Sequence, residues 1–170
     1  MVYATGAGGP EQFDGGTLAS GRPTGAPSSN KFAHYLEHVR GDWPLGQMAP
    51  HLAVEAVQDA RHRSCLSRFR CSSHSLRVET DRHLPNAIKP ARHLRTCLIC
   101  ASSSVEDEDH FIFSCPLYAG LRFEYADIFS TDCLTLDQFL SHPNQDKIAQ
   151  FVYACFTLRS QITLMSLAGS

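Results

Sequence analysis

The sequence predicts a mainly α fold, a small helical domain that follows a disordered, Gly/Pro-rich N-terminus. Residues 1–30 contain seven glycines and three prolines but few large apolar side chains. Such a segment cannot bury enough surface to offset the entropy lost when it becomes ordered. From about residue 50 onward, apolar residues recur at intervals of three and four, which is the period of an amphipathic helix. The chain of 170 residues therefore holds one domain of ordinary size and a tail.

Two helices are predicted in the first half of the chain. Residues 31–49 are expected to form a short amphipathic helix and a linker, after which residues 50–165 form the domain itself. The domain opens with a helix over residues 50–69. The predicted buried stripe of this helix consists of Ala53, Ala56, Val57, Ala60 and Cys65.

Less regular structure is predicted between this helix and the cysteine-rich segment that begins at Cys97. In the sequence SHSLRVET, Leu76 and Val78 alternate with polar residues, which favours a short extended segment. Residues 82–95 contain two prolines and many basic residues, and we expect them to form a loop.

Three further helices are predicted in the C-terminal third. The first covers residues 116–129 and has Pro116 in its first turn, where a proline breaks no helical hydrogen bond. The second is short, over residues 134–142, and the third covers residues 144–167 with Asn144 as its N-cap. The predicted apolar stripe of the third helix consists of Ile148, Phe151, Val152, Cys155 and Phe156.

Cysteine usage and the first residues predict an intracellular protein of the nucleus or the cytoplasm. Seven cysteines are an odd number, and MVYATGAGGPEQ has neither the basic start nor the apolar core of a secretory signal. Reduced thiols are therefore expected rather than a disulfide framework. Arg159 lies near the centre of the most apolar window, residues 148–168, so no membrane span and no membrane partner are predicted.

Charge is distributed unevenly along the chain, although the net charge is only −2. Residues 61–95, named the basic segment below, carry nine Lys or Arg against two Asp or Glu, a net charge of +7. Residues 96–170 carry three against nine, a net charge of −6. A basic block beside an acidic one indicates contact with a polyanion or with an acidic surface, and an arginine-rich solvated face is equally compatible with the charge alone.

Three cysteines and a histidine have the spacing of a metal site. The pattern Cys97-x2-Cys100-x9-His110-x4-Cys115 supplies three thiols and one imidazole, which is a ligand set that zinc prefers in a tetrahedral site. A tight turn between the first two cysteines can direct both sulfurs at one centre. Four protein ligands fill a tetrahedron, so this CCHC zinc knot is predicted to hold a structural Zn²⁺ rather than a catalytic one. The alternative is a group of reduced thiols that bind no metal.

Several residues near this pattern are given other roles. The acidic run Glu106–Asp109 is expected to be a solvated loop or the start of a helix, one of whose carboxylates accepts the free ring N–H of the histidine ligand. Phe111 and Phe113 are expected to be core residues rather than platforms for bases. Cys71 and His74 are further ligand types, but no second pair completes a site with them. The cysteines outside the knot are expected to be small core residues, namely Cys65, Cys71, Cys133 and Cys155.

The same segments resemble a known family. The residues that carry the resemblance are Arg95-x-Cys97-x2-Cys100, Val105-Glu106-Asp107-Glu108-x-His110-Phe111, Cys115-Pro116-x-Tyr118 and Leu121-Arg122. In this order they resemble the C-terminal zinc-binding region of the reverse transcriptases of non-LTR, LINE-type retrotransposons. The resemblance covers roughly residues 55–160.

This resemblance implies a region that follows the polymerase and grips nucleic acid during target-primed reverse transcription. Residues Cys97, Cys100, His110 and Cys115 match the family's metal-ligand motif. The polymerase and the endonuclease of the family have no counterpart in these 170 residues, and residues 125–128, Y-A-D-I, lack the second aspartate of the polymerase signature. Neither enzymatic activity nor a small-molecule substrate is therefore expected.

The sequence as a whole favours a non-catalytic module that binds zinc and either RNA or DNA. Arginines and lysines of the basic segment would contact phosphates, and the candidates are Arg68, Arg70, Arg77, Lys89, Arg92 and Arg95, with His74 in addition. One alternative is a protein-interaction module that presents the apolar stripe of the last helix to a reverse-transcriptase body or another chain. Another is a retrotransposon fragment with no independent function.

Overall fold

A computed structural model describes residues 56–100, 102–129 and 135–168 of the chain. The predicted tail, residues 1–30, and the predicted helix and linker, residues 31–49, lie outside these ranges. Helices and helical turns make up most of the described residues, among which there is no β-strand. An isolated antiparallel bridge joins Thr96 to Val105. The prediction of a mainly α fold is confirmed for this part of the chain.

Five α-helices lie in the described ranges: α1 (Ala60–Arg70), α2 (Arg77–Thr80), α3 (Ala119–Glu124), α4 (Leu136–Leu140) and α5 (Gln145–Ala168). Short 3₁₀ turns cover Asp81–His83, Arg92–Leu94, Pro116–Tyr118 and Ala126–Ile128. A π-helical turn covers His110–Ser114.

Helix α1 begins later than the sequence predicts. The side chain of Asp59 accepts hydrogen bonds from the backbone N–H groups of Arg61 and His62, at 2.7 and 3.4 Å, and so caps the helix at Ala60. Ala60 was predicted to be buried but is exposed. Val57 of the predicted stripe is buried just before the helix, and Cys65 is half-buried. The fully buried residues of α1 are Leu66, Phe69 and Arg70.

The segment predicted to be extended around Leu76 and Val78 is helical. The backbone carbonyl of Leu76 accepts from the N–H groups of Glu79 and Thr80, at 2.9 and 3.0 Å, and this closes the single turn of α2. Leu76 and Val78 are nevertheless buried, as the alternating pattern required. Two apolar residues that are two positions apart do not distinguish a strand from one helical turn.

The predicted helix over residues 116–129 is broken into a 3₁₀ turn, α3 and a second 3₁₀ turn, with Pro116 at the start as expected. The two helices that follow are confirmed. A capping box at Thr135 begins α4, and Asn144 Oδ1 accepts from the Lys147 N–H at 3.1 Å at the start of α5.

Aromatic rings fill the space beside α5, and α1 packs along this helix. Phe111 contacts Phe156 with ring centroids 4.5 Å apart, and Phe129 contacts Phe151 with ring centroids 5.0 Å apart. The stripe of α5 predicted from the sequence is buried in this core, apart from the half-buried Phe156. The chain itself therefore covers this stripe, apart from Phe156.

Candidate metal centre

The four predicted ligands come together in space. The sulfurs of Cys97, Cys100 and Cys115 and a ring nitrogen of His110 all lie within 4.8 Å of one another. All four residues are buried except Cys100, which is half-buried. Among the described residues, no other group of three or more ligand side chains has this arrangement.

Two local structures place the ligands. Backbone hydrogen bonds from Cys97 N to Ser104 O and from Glu106 N to Arg95 O, each 2.8 Å long, fold the first two cysteines into a tight loop. The π-helical turn then places His110 and Cys115 together, since the N–H of Cys115 donates to the carbonyl of His110 at 2.8 Å. The π-helical turn therefore supplies the third and fourth ligands beside the two that the loop supplies.

Backbone N–H groups point at each of the three sulfurs. Those of Ile99 and Cys100 donate to the sulfur of Cys97. Those of Ser102 and Leu117 donate to the sulfurs of Cys100 and Cys115. Such donors favour the thiolate form, which is the form that binds a metal ion.

The imidazole of His110 is oriented by a hydroxyl group. Its Nδ1 lies 3.1 Å from Ser114 Oγ, while its Nε2 lies 3.3 Å from Cys100 Sγ. When Nδ1–H donates to Ser114, Nε2 keeps its lone pair and faces the sulfurs as a ligand. The expected carboxylate partner of the ring is therefore replaced by Ser114. Asp107 accepts instead from the backbone N–H of His110, at 3.0 Å.

These distances are compatible with a tetrahedral metal ion. Zn–S bonds of about 2.3 Å and Zn–N bonds of about 2.0 Å place neighbouring ligand atoms roughly 3.5–3.8 Å apart. The separation of 3.3 Å between Cys100 Sγ and His110 Nε2 is close to this range, and the largest separation in the group is at most 4.8 Å. A small closure of the loop would give all four donors a common centre.

The three thiols differ in acidity. Burial raises the pKa of Cys97, and it raises the pKa of Cys115 to about 12. Burial also acts to raise the pKa of Cys100, but hydrogen bonds to its sulfur, first of all those from the hydroxyl and the backbone N–H of Ser102, outweigh it and lower this pKa to about 6. Binding of a metal ion must therefore displace protons from Cys97 and Cys115 near neutral pH, whereas Cys100 is already mainly a thiolate.

The acidic run beside the site was predicted to be solvated, but one of its residues is buried. Glu106 is only 3% exposed and accepts two hydrogen bonds from the guanidinium group of Arg159, at 3.0 and 3.1 Å. It also accepts from the N–H of Arg77 at 2.9 Å, and its Oε1 lies 3.8 Å from Cys97 Sγ. A buried bidentate ion pair thus joins the metal-binding loop to α5.

This role of Arg159 was not predicted, although the sequence carries a signal for it. Arg159 follows Ile148, Val152 and Cys155 on the buried face of α5, at helical spacing. A lone arginine on an otherwise apolar face usually has a buried acidic partner. Ser114, which orients His110, has no comparable signal because it is an ordinary polar residue of a short turn.

The candidate phosphate-contacting residues divide into two groups. Arg70 is buried, and donates to Leu140 O and to Gln145 Oε1. Arg77 bonds to Asp81 and to Thr96 O, and Arg95 bonds to Val78 O and Pro90 O. These three guanidinium groups hold the fold together, whereas the exposed residues of the set are Arg68, Lys89 and Arg92.

The remaining candidates have structural surroundings of their own. His74 Nε2 lies 2.8 Å from Glu108 Oε1, and Cys71 is exposed, so these two residues form no second metal site. Cys155 is buried and Cys65 half-buried, as core residues would be, whereas Cys71 is not a core residue. Cys133 lies outside the described residues.

Comparisons of the chain with protein-family models, with curated protein sequences and with solved structures give no match. None of the helices in the described ranges is long and apolar enough to cross a membrane.

Proposed function

We propose that the chain is a non-catalytic module that binds one structural Zn²⁺ and a nucleic acid. The observation that carries the first part is the convergence of three sulfurs and one imidazole within 4.8 Å, with backbone N–H groups directed at each sulfur. Three thiolates and an imidazole select zinc over magnesium or calcium, which prefer oxygen ligands. With four protein ligands, no coordination position is left for a substrate.

The test of zinc binding is elemental analysis of the purified chain and of two cysteine variants. We expect one equivalent of zinc in the wild-type protein and in Cys71→Ser, because Cys71 is exposed and lies outside the ligand set. Cys100→Ser should lose the metal and the local structure of residues 95–118. Full zinc content in Cys100→Ser would refute the ligand assignment, and an open-site spectrum after cobalt substitution would refute the closed, non-catalytic site.

The nucleic-acid-binding part of the proposal rests on the exposed cations of the basic segment. Arg68 has no ion-pair partner among the described residues. In the same part of the chain, the side chain of Lys89 donates only to Asn86, and Arg92 is paired with Asp107 at 3.4 Å while its side chain stays 66% exposed. Exposed side chains of this kind can contact phosphates without breaking the interactions that stabilise the fold. Phosphate contacts contribute to affinity rather than to sequence specificity.

Salt dependence tests this part. If Arg68, Lys89 and Arg92 each neutralise one phosphate, log K for a single strand should fall against log salt concentration with a slope of about −2. Filter binding of the zinc-loaded chain at several salt concentrations measures this slope. Absence of binding, or binding that does not change with salt, contradicts the proposal.

The resemblance to the C-terminal region of LINE-type reverse transcriptases makes the same proposal more specific. In that interpretation the chain is the nucleic-acid-gripping region of such a protein. Residues 125–128, Y-A-D-I, are similar to part of the polymerase signature but have a different role, because Asp127 is exposed and pairs with Lys147. We therefore assign no catalytic residue.

A protein-interaction module is the second candidate function. It is favoured by large apolar side chains that remain exposed, among them Phe123 at 86% and Met165 at 74%. Copurification of a protein partner after nuclease treatment, with no salt-sensitive binding of nucleic acid, would favour this candidate over the first.

A further inference from the structure

A groove lies between α1 and α5, and none of the four candidate metal ligands lines it. Its volume is about 960 Å³, at the upper end of the range of about 300–1,000 Å³ in which proteins bind small ligands. Each helix contributes one face at helical spacing, with Arg61, Ser64 and Arg68 on one wall and Tyr153, Phe156 and Ser160 on the other.

The charge of the groove is positive, although the chain as a whole is negative. Arg61 and Arg68 line it, and no aspartate or glutamate is among the described residues that do so. Arg61 also pairs with Asp59 at 3.1 Å, whereas Arg68 has no ion-pair partner among the described residues. The groove therefore favours an anion, most of all near Arg68.

One wall of the groove is aromatic. The Tyr153 ring is half-buried and lies under the guanidinium group of Arg61, whose central carbon is 5.9 Å from the ring centroid. Phe156 lies one helical turn further along the same wall. A ligand with both a flat ring and an anionic group would contact both the aromatic residues and the arginines that line the groove.

A buried polar atom also borders the groove. The side chain of His74 is 2% exposed, and its Nδ1 has no hydrogen-bond partner among the described residues. Its Nε2 is held by Glu108 at 2.8 Å, which fixes the ring. A buried nitrogen without a partner costs free energy unless a ligand or a water satisfies it.

We propose that this groove is the site at which the chain holds a single-stranded nucleic acid, a location that rests on the function proposed above. A base lies against Tyr153 and Phe156, the adjacent phosphate is bound by Arg68, and a polar group of the same nucleotide satisfies His74 Nδ1. A double helix keeps its bases stacked inside, so only a single strand can place a base in such a groove.

Filling the groove tests the proposal. Ser64→Trp adds a large side chain at an exposed position of α1 within the groove, and Thr163→Trp adds the same side chain at an exposed position of α5 outside it. Fluorescence anisotropy with short labelled strands of RNA and DNA of one sequence measures the affinity of the full, zinc-loaded chain. Because a stacked base contributes about 1–3 kcal/mol, we expect Ser64→Trp to weaken both strands about tenfold or more. Thr163→Trp should change the affinity less than about twofold.

A second variant covers the case in which Ser64→Trp fails to fold. Arg68→Gln removes one exposed charge and should reduce the salt slope by about 0.7, as expected for one phosphate contact on a single strand. Lys147→Gln, at a half-buried position outside both the groove and the basic segment, should leave the slope unchanged.

The outcomes separate this proposal from the one on which it rests. If the wild-type chain binds no nucleic acid, both fail. If it binds with the expected salt slope but Ser64→Trp and Arg68→Gln behave like their controls, only the groove assignment fails. Equal affinity for a duplex also overturns it.

Discussion

Two parts of the molecule hold the chain together by different means. The metal region, residues 95–118, contains loops and short turns, and its centre consists of three thiols and an imidazole. The aromatic core around α5 consists of rings in mutual contact, such as Phe129, Phe139 and Phe151, with centroids 5.0–5.9 Å apart. In the function proposed above, an ion joins the parts of the first, whereas the second is stabilised mainly by apolar burial.

This difference shows how a small domain can combine two sources of stability. Apolar burial works best where long elements supply regular faces, as α1 and α5 do. Residues 95–109 offer no such face, and a metal ion can fix a loop there without one. The ion pair of Glu106 with Arg159 connects the two parts.

The largest effect is expected on removal of zinc, and it should differ between the two parts. Removal of zinc by a chelator should abolish protection from amide hydrogen exchange in residues 95–118, since structural zinc typically supplies about 10–16 kcal/mol of binding free energy. Amides in the middle of α5 should keep most of their protection, because rings and not the metal cover them. Equal loss in both parts would mean that the aromatic core does not form without the ion.

Truncation of a core ring tests the other part. Phe151 is fully buried, so Phe151→Ala should lower the free energy of unfolding by about 3–5 kcal/mol. Zinc content should remain one equivalent, provided that it is measured where the variant is still folded. Phe123→Ala, at a position that is 86% exposed, is the control and should cost less than about 0.5 kcal/mol. A similar loss in both variants, in denaturant titrations, would argue against the aromatic core.

The ion pair that connects the two parts can be weakened by replacing one oxygen of the Glu106 carboxylate with an amide nitrogen. Glu106→Gln keeps the shape of the side chain but leaves the charge of Arg159 uncompensated in a largely buried position. We expect a loss of about 2 kcal/mol, typical of charge-assisted hydrogen bonds, with reduced hydrogen-exchange protection in both the metal region and α5. Asp109→Asn changes an exposed acid of the same run and should have little effect. Reduced protection in only one part would show that the ion pair does not couple them.

The smallest expected effect is confined to the start of α5. Asn144→Ala removes the oxygen that accepts from the Lys147 N–H and should cost about 1 kcal/mol. Zinc content should not change. Asn86→Ala, in an exposed loop, is the matched control, and thermal unfolding of the two variants compares them. Loss of zinc from Asn144→Ala would contradict the separation of the helix start from the metal centre.

The sequence was most informative where the relevant interactions are local. The ligand set depends on four residues within nineteen positions of one another, and Asn144 caps a helix that begins at the next residue. Helix α5 was predicted because its apolar residues repeat over many turns. In each case the deciding contacts lie within a few turns of the chain.

The rest depends on contacts between distant segments, which no local pattern contains. Whether Glu106 is solvated or buried depends on Arg159, 53 residues away, and the burial of Arg70 depends on Gln145, 75 residues away. The groove is formed by two helices at opposite ends of the domain, so its composition was not visible in either helix alone. For α2, the segment was too short for its pattern to distinguish a strand from a helical turn.

The separation of Glu106 from Arg159 also has a consequence for synthesis on the ribosome. At about 5–20 residues per second, Arg159 is added roughly 3–10 s after Glu106, whereas all four candidate ligands are present once Cys115 has been added. The nascent chain therefore completes the candidate metal site before the helix that carries the ion-pair partner of Glu106 exists. Capture of an ion can precede the pairing of Glu106 with Arg159.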